Sequence, residues 1–147
     1  QRKNSLRTNT KAQEAADRNM SRASLAATQQ MTQLGNRQSM TKMDQRNART
    51  ALASLVLEDR LNQPGQEKLK QDVAKNGKLY AKAVQTLANS KEFKQTFPDS
   101  KLTPANCKNY ATNLRAVKKA SKDFNDRLVR NAQAKKQKQK LVELYNS

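Results

Sequence analysis

The feature that most constrains the fold is the scarcity of helix breakers: the 147 residues contain three glycines and three prolines. Between these breakers, apolar residues recur every three or four positions, which is the spacing of one face of an α-helix. We find no convincing β-strand pattern. The sequence therefore predicts an all-α fold, with an extended N-terminal helical arm followed by a small helical bundle that has a long C-terminal helix.

Composition changes near residue 50. Before it, the largest apolar side chains are three leucines and four methionines, which can hardly bury enough surface for the segment to fold alone. From Ala51 onward, larger apolar residues recur regularly, and the run Asn62-Gln63-Pro64-Gly65 is a strong helix stop. We predict a basic two-helix N-terminal arm over residues 1–61 and a helical bundle domain over residues 66–147.

The helix ends are predicted from capping residues. Gly35 is expected to be a left-handed cap after the first helix. The third helix is predicted over residues 66–88, because its apolar stripe keeps its phase across Asn76-Gly77, although that pair could kink it. Thr103-Pro104 predicts the start of the last helix. If unbroken, that helix would be about 60 Å long, with the apolar pattern resuming at Val142 and Tyr145 and the cationic second half projecting beyond the bundle.

Positive charge is concentrated at the two ends of the chain. The net charge is +18. Residues 1–50 carry 10 basic and 3 acidic groups, residues 51–100 carry 8 and 6, and residues 101–147 carry 12 and 3. The first segment prefers arginine, whose planar fork binds phosphate oxygens in pairs, and the last prefers lysine. The arm is therefore the better candidate for close phosphate contact, and the lysine-rich tail for looser attraction.

Two basic arcs follow from helical spacing. At about 100° per residue, four cations of the first helix fall within about 60° of one another: Arg7, Lys11, Arg18 and Arg22. The nearly opposite side carries a stripe of small and flexible apolar residues: Ala12, Ala16, Met20, Ala23, Ala27, Met31 and Leu34. A second arc recurs on the next helix, at Lys42, Arg46, Arg49 and Arg60.

A charged helix face is most often only a solvated face. Solvated faces usually mix signs, however, and only Glu14 joins the four cations of the first arc on their side. The two arcs together could present a clamp to a polyanion, while the apolar stripes face protein. The stripe of the first helix is mostly alanine, which is too small to anchor in lipid but suits close contact between helices.

The chain offers little for catalysis or metal binding. It contains no histidine, no glycine-rich phosphate loop and a single cysteine. Cys107 lies on an apolar seam and is predicted to be a buried thiol, and the adjacent Glu58 and Asp59 are predicted to form surface ion pairs. We expect no enzyme, no metal and no cofactor, and no apolar run is long enough to cross a membrane.

This order of parts resembles the major coat proteins of filamentous archaeal DNA viruses, in which helical arms wrap the genome and helical domains face outward. The resemblance is architectural and rests on no short motif. It implies a virion protein whose partners are nucleic acid, with double-stranded DNA favoured and RNA possible, and other copies of itself or a related chain. The residues it would place along the duplex backbone are Arg2, Lys3, Arg7, Lys11, Arg18, Arg22, Lys42, Arg46 and Arg49.

Three alternatives remain open from the sequence. The chain could be a secreted effector or virion protein whose helical bundle binds a protein partner, or a cytoplasmic protein associated with nucleic acid. The segment 35–41, with Arg37 shortly after glycine, also loosely resembles the arginine-finger segment of bacterial effector domains that switch off Rho-type GTPases. In that family the arginine stabilises charge on the nucleotide.

Overall fold

The computed structural model describes the backbone of residues 2–146 and the side chains of residues 11–146. Within this part the chain forms seven α-helices and one 3₁₀ turn, with no strand, so the predicted all-α class and the long C-terminal helix are confirmed. The elements are α1 (Arg2–Gly35), α2 (Lys42–Leu61), α3 (Glu67–Lys75), α4 (Gly77–Asn89), α5 (Lys91–Thr96), the 3₁₀ turn Asp99–Lys101, α6 (Pro104–Thr112) and α7 (Leu114–Asn146).

Helix α2 lies at the centre of the bundle. Its seven consecutive residues 51–57 are all buried, as expected for a helix that is covered on every side. Helices α1, α4 and α7 pack directly against it. A single cluster of buried apolar side chains runs from Met20 in α1 through α2 to Phe124 in α7. Residues on both sides of the predicted boundary at 61–66 therefore contribute to one core.

The apolar stripe predicted on α1 is confirmed as its packed face. Five of its members are buried and Ala12 and Ala23 are half-buried; the buried ones are Ala16, Met20, Ala27, Met31 and Leu34. Because most of these side chains are small, α1 packs closely against α2, α3 and α6.

Aromatic rings fill the side of the core formed by α5, α6 and α7. The ring centroids of Phe93 and Phe97 lie 4.8 Å apart, and the Phe124 ring meets Phe93 edge-on at 5.3 Å. Tyr110 of α6 meets Phe97 edge-on at 6.1 Å. These are favourable arrangements for aromatic pairs, and they attach the short helix α5 to α7.

Two asparagines break helices that the apolar periodicity predicted to be continuous. Asn76 is extended (φ −127°, ψ 102°), and its Oδ1 accepts hydrogen bonds from the backbone N–H groups of Lys78 and Leu79, which caps α4. Asn113 is likewise extended, and its Oδ1 accepts from the backbone of Arg115. The helices that the periodicity indicated over 66–88 and beyond Pro104 are therefore each divided, the first at the Asn76-Gly77 pair that the sequence marked as a possible kink. The reason is that asparagine side chains offer the backbone an alternative to helical hydrogen bonds.

The prediction that Gly35 is a left-handed cap is also wrong. Gly65 is the glycine with positive φ (87°) in the described chain, and it lies in the break between α2 and α3. Gly35 is the last residue of α1, where the helix meets α6. A Cβ built on Gly35 would lie 2.9 Å from the N, Cα and Cβ atoms of Lys108. This glycine is required by the close approach of two helices.

We predict that Gly35→Ala lowers the free energy of unfolding by about 1–3 kcal/mol, because the added methyl group forces α1 away from the α6 backbone. Urea unfolding followed by circular dichroism measures the change. Gly77→Ala is the matched control, since a Cβ at Gly77 meets nothing within 4 Å. Gly77→Ala should leave stability unchanged or raise it by up to about 1 kcal/mol. Equal effects of the two substitutions would contradict the packing argument.

Candidate nucleic-acid interface

The cations predicted on the outer face of α1 are exposed to solvent where the structure describes their side chains. Lys11, Arg18 and Arg22 are all exposed, on the side of the helix away from the buried stripe. No ion pair engages these three among the side chains that the structure describes. Arg2, Lys3 and Arg7, which complete the predicted site on this helix, lie outside the described side chains.

An acidic residue at the flank of α1 forms an ion pair with α3. Asp17 pairs with the Nζ of Lys70, a lysine of α3 that is otherwise buried. Two residues further along α1, the Nδ2 of Asn19 donates to the backbone oxygen of Ala74 at 3.0 Å. These contacts attach α1 to α3. The Asp17 side chain remains 60% exposed, and Glu14 is exposed beside the cations.

The predicted arc on α2 is divided between solvent and the bundle. Lys42 and Arg46 are exposed. Arg49 is held inward: its Nη2 lies 2.5 Å from Oδ1 of Asp99, and its Nε and Nη2 both lie 3.4 Å from the backbone oxygen of Phe97. Only 14% of the Arg49 side chain is exposed. Arg49 therefore fastens α2 to the segment before the 3₁₀ turn.

Arg60, the last member of that arc, is also engaged inside the bundle. Its guanidinium lies 5.7 Å from the centroid of the Phe124 ring, and its Nη2 donates to Oδ1 of Asn125 at 3.1 Å. Burial lowers the pKa of Arg60 from its ordinary value. The side chain joins α2 to α7 by a cation–π contact and a hydrogen bond.

The two exposed groups of cations do not lie side by side. Helix α2 runs antiparallel to α1, since Ala27 lies near Ala51 and Ser24 contacts Glu58. Lys42 and Arg46 therefore lie beside the C-terminal end of α1. Twelve residues separate Arg22 from Leu34 at that end, or about 18 Å along the helix axis. The two groups form separate patches rather than facing jaws of a clamp.

Arg37, the residue that carries the GTPase resemblance, contacts the start of α2. Its Nη1 lies 3.2 Å from each carboxylate oxygen of Asp44. Asp44 also accepts a hydrogen bond from the backbone of Thr41, whose hydroxyl accepts one from the backbone of Asp44, and together these form a capping box. The guanidinium of Arg37 thus stabilises a helix N-terminus.

Several groups in the interior have shifted pKa values. Burial raises the pKa of Glu58, and a hydrogen bond from Ser24 and the charge of Lys70 offset part of that rise. Burial also raises the pKa of the Cys107 thiol, which confirms the predicted buried cysteine. Asp59 accepts a hydrogen bond of 3.0 Å from the fully buried Ser121. Asp59 therefore links α2 to α7 instead of forming the predicted surface ion pair.

The second half of α7 is a further cationic surface that the predicted site residues do not include. We call residues 129–146 the α7 extension; every side chain in it is exposed. It carries five cations, Arg130, Lys135, Lys136, Lys138 and Lys140, and one acid, Glu143. The signal in the sequence was the loss of apolar periodicity between Asn131 and Lys140. That signal predicts exposure but not what the exposed helix contacts.

Among the residues described, no group of three or more histidine, cysteine, aspartate or glutamate side chains is placed to hold a metal ion. Within the same residues, no helix is long and apolar enough to cross a membrane. Neither a protein-family model, nor a curated protein sequence, nor a solved structure matches this chain.

We predict that Arg49→Gln lowers the free energy of unfolding by about 1 kcal/mol, because it removes a charged hydrogen bond from a side chain that is mostly buried. Arg46→Gln, one turn earlier and exposed, removes the same charge and should change stability by less than about 0.5 kcal/mol. Thermal and urea unfolding of the two variants measure the difference. Equal stability of both variants would show that the contacts of Arg49 contribute nothing.

We predict that the ionisation of Glu58 makes the free energy of unfolding depend on pH. The pKa of Glu58 is raised in the folded state above its ordinary value of 4.5. The folded protein therefore keeps this proton to a higher pH than the unfolded chain does. Stability consequently falls as the pH rises from about 4.5 through the raised pKa. Glu58→Gln cannot ionise. We therefore expect the wild type to lose stability relative to this variant as pH is raised from about 4 to about 7.

Urea unfolding of the wild type and Glu58→Gln at both pH values measures this difference. Glu14→Gln, at an exposed position of α1, controls for the loss of one negative charge. A wild type that gains stability relative to Glu58→Gln over the same range would contradict the assignment.

Proposed function

We propose that this protein is a structural nucleic-acid-packaging protein of the virion coat or nucleocapsid type, which binds the phosphate backbone without sequence specificity. The observation that carries the proposal is the fate of the charges on α1. Lys11, Arg18 and Arg22 stay exposed on one face of the helix, and none of the three belongs to an ion pair among the side chains that the structure describes. A face that only kept the protein dissolved would usually mix signs, whereas unpaired cations on one face leave their donors available to phosphate oxygens.

The proposed binding is electrostatic. Each cation that contacts a phosphate releases a condensed counterion, so affinity falls steeply as salt rises. Arg18 and Arg22 also offer planar donor forks that suit phosphate oxygens, and the serines, threonines and asparagines of α1 supply short hydrogen-bond donors. Helix α1 contains no aromatic residue on which bases would stack. These properties favour contact with the backbone over reading of the bases.

Self-assembly is the second part of the proposal. Helices α1 and α7 contain 34 and 33 residues, which corresponds to about 50 Å each at 1.5 Å per residue. Such helices extend well past the core that the shorter helices form with α2, and they offer long surfaces to neighbouring copies. The role as a coat protein in a virion, with copies or a related chain as partners, rests on this shape and on the charge.

The test replaces Lys11, Arg18 and Arg22 by Gln in one triple variant and measures binding to DNA duplexes of several sequences. We expect weaker binding to all sequences by a similar factor. The slope of log affinity against log salt should become shallower by about 3, because about 0.9 of a counterion is released per phosphate contact. Fluorescence anisotropy between about 50 and 200 mM salt measures both quantities.

The control is a second triple variant with the same net charge. It replaces three exposed lysines far along the chain by Gln: Lys91, Lys94 and Lys101. Loss of affinity in the α1 variant alone supports the proposal. Salt-insensitive binding by the wild type would overturn the proposal, as would a loss of affinity that is confined to one DNA sequence.

Electron microscopy of protein mixed with duplex DNA tests packaging. Regular filaments are expected, and separate small particles would contradict the proposal.

A further inference from the structure

The α7 extension continues past the core of the bundle as a helix. Phe124 is the last fully buried residue of α7, and Leu128 is half-buried against the core. From residue 129 to residue 146 every side chain is exposed. These 18 residues span about 27 Å. The extension is therefore exposed to solvent on all sides, unlike the other helices, which each bury at least one face in the bundle.

Its cations surround the helix instead of forming an arc. At about 100° per residue, measured from Arg130, the four lysines point at about 140°, 240°, 80° and 280°. They are Lys135, Lys136, Lys138 and Lys140. No gap between neighbouring cations is wider than about 100°. None of the five belongs to an ion pair among the side chains that the structure describes.

A helix with charge on all sides matches a ligand that carries negative charge on more than one side of it. Helix α1 differs from the α7 extension, because its cations lie on one face only. A single basic face suits contact with one row of phosphates on the outside of a duplex. The major groove of B-form DNA is about 12 Å wide and is lined by phosphates along both edges. It admits an α-helix, whose diameter with side chains is about 10–12 Å.

We propose that the α7 extension lies in the major groove of B-form double-stranded DNA, with its lysines reaching the phosphates on both edges. This inference rests on the proposed function and adds the kind of nucleic acid and the groove. Four amide side chains, Asn131, Gln133, Gln137 and Gln139, alternate with the cations and can exchange hydrogen bonds with base edges. The major groove of A-form RNA is too deep and narrow for side chains to read.

The first experiment replaces Lys135, Lys136, Lys138 and Lys140 by Gln in the full chain. The control replaces Lys68, Lys75, Lys78 and Lys82 by Gln, which are four exposed lysines of α3 and α4. Both variants have the same net charge. We expect the α7 variant to bind a 25-base-pair DNA duplex at least tenfold more weakly at 100 mM salt, with a salt slope shallower by about 3 to 4. The control should stay within about threefold of the wild type.

The second experiment identifies the groove with the wild-type protein. A DNA duplex whose cytosines carry glucosylated hydroxymethyl groups has its major groove filled, and a double-stranded RNA of the same sequence has A-form geometry. We expect at least tenfold weaker binding to both than to unmodified DNA. Equal affinity for unmodified DNA and either of these duplexes would overturn the inference, and so would equal losses in the two lysine variants.

Failure of this inference is distinguishable from failure of the proposed function. If the wild type binds DNA with steep salt dependence and only the α1 triple variant loses affinity, the function stands and the α7 assignment falls. If the wild type binds neither DNA nor RNA, both fall. Circular dichroism of each variant confirms that the helices are intact, which we expect because every replaced side chain is exposed.

Discussion

The burial of α2 on every side is the constraint on which the rest of the structure depends. Residues 51–57 are all buried, and all but Ser54 are apolar, so no face of that segment is left for solvent. Helices α1, α4 and α7 must therefore surround it, and α5 and α6 complete the core through the phenylalanine cluster. Because α1 is one of the covering helices, its inner face is fixed toward α2, and its cations are consequently fixed toward solvent.

The packing divides the basic residues into two functional groups. Arg37, Arg49, Arg60 and Lys70 hold helix ends or neighbouring elements together through carboxylates, a carbonyl oxygen and an aromatic ring. The exposed cations of α1 and of the α7 extension have no such role in the described structure. Net charge alone does not distinguish the two groups, whereas burial and hydrogen-bond partners do. The proposals for polyanion binding rest on the second group only.

Much of the helical architecture followed from periodicity. The stripe from Ala16 to Leu34, the buried Cys107 and the cap at Thr103-Pro104 were all predicted from residues a few positions apart, and the structure confirms them. The break at Asn113 was not predicted, and the one at Asn76 was marked only as a possible kink, because the apolar phase continues across both. The role of Gly35 also escaped prediction, since the atoms that crowd it belong to Lys108, more than seventy residues away in the chain.

The sequence by itself determined the all-helical class and the separation of charge from apolar surface along α1, because both depend on a repeat of 3.6 residues that is local to one helix. Only the tertiary structure decided which cations are free. Arg49 pairs with a residue 50 positions away, Arg60 with one 65 positions away and Lys70 with one 53 positions away. Such partners are set by how helices pack against α2, and helical periodicity carries no information about contacts at that separation.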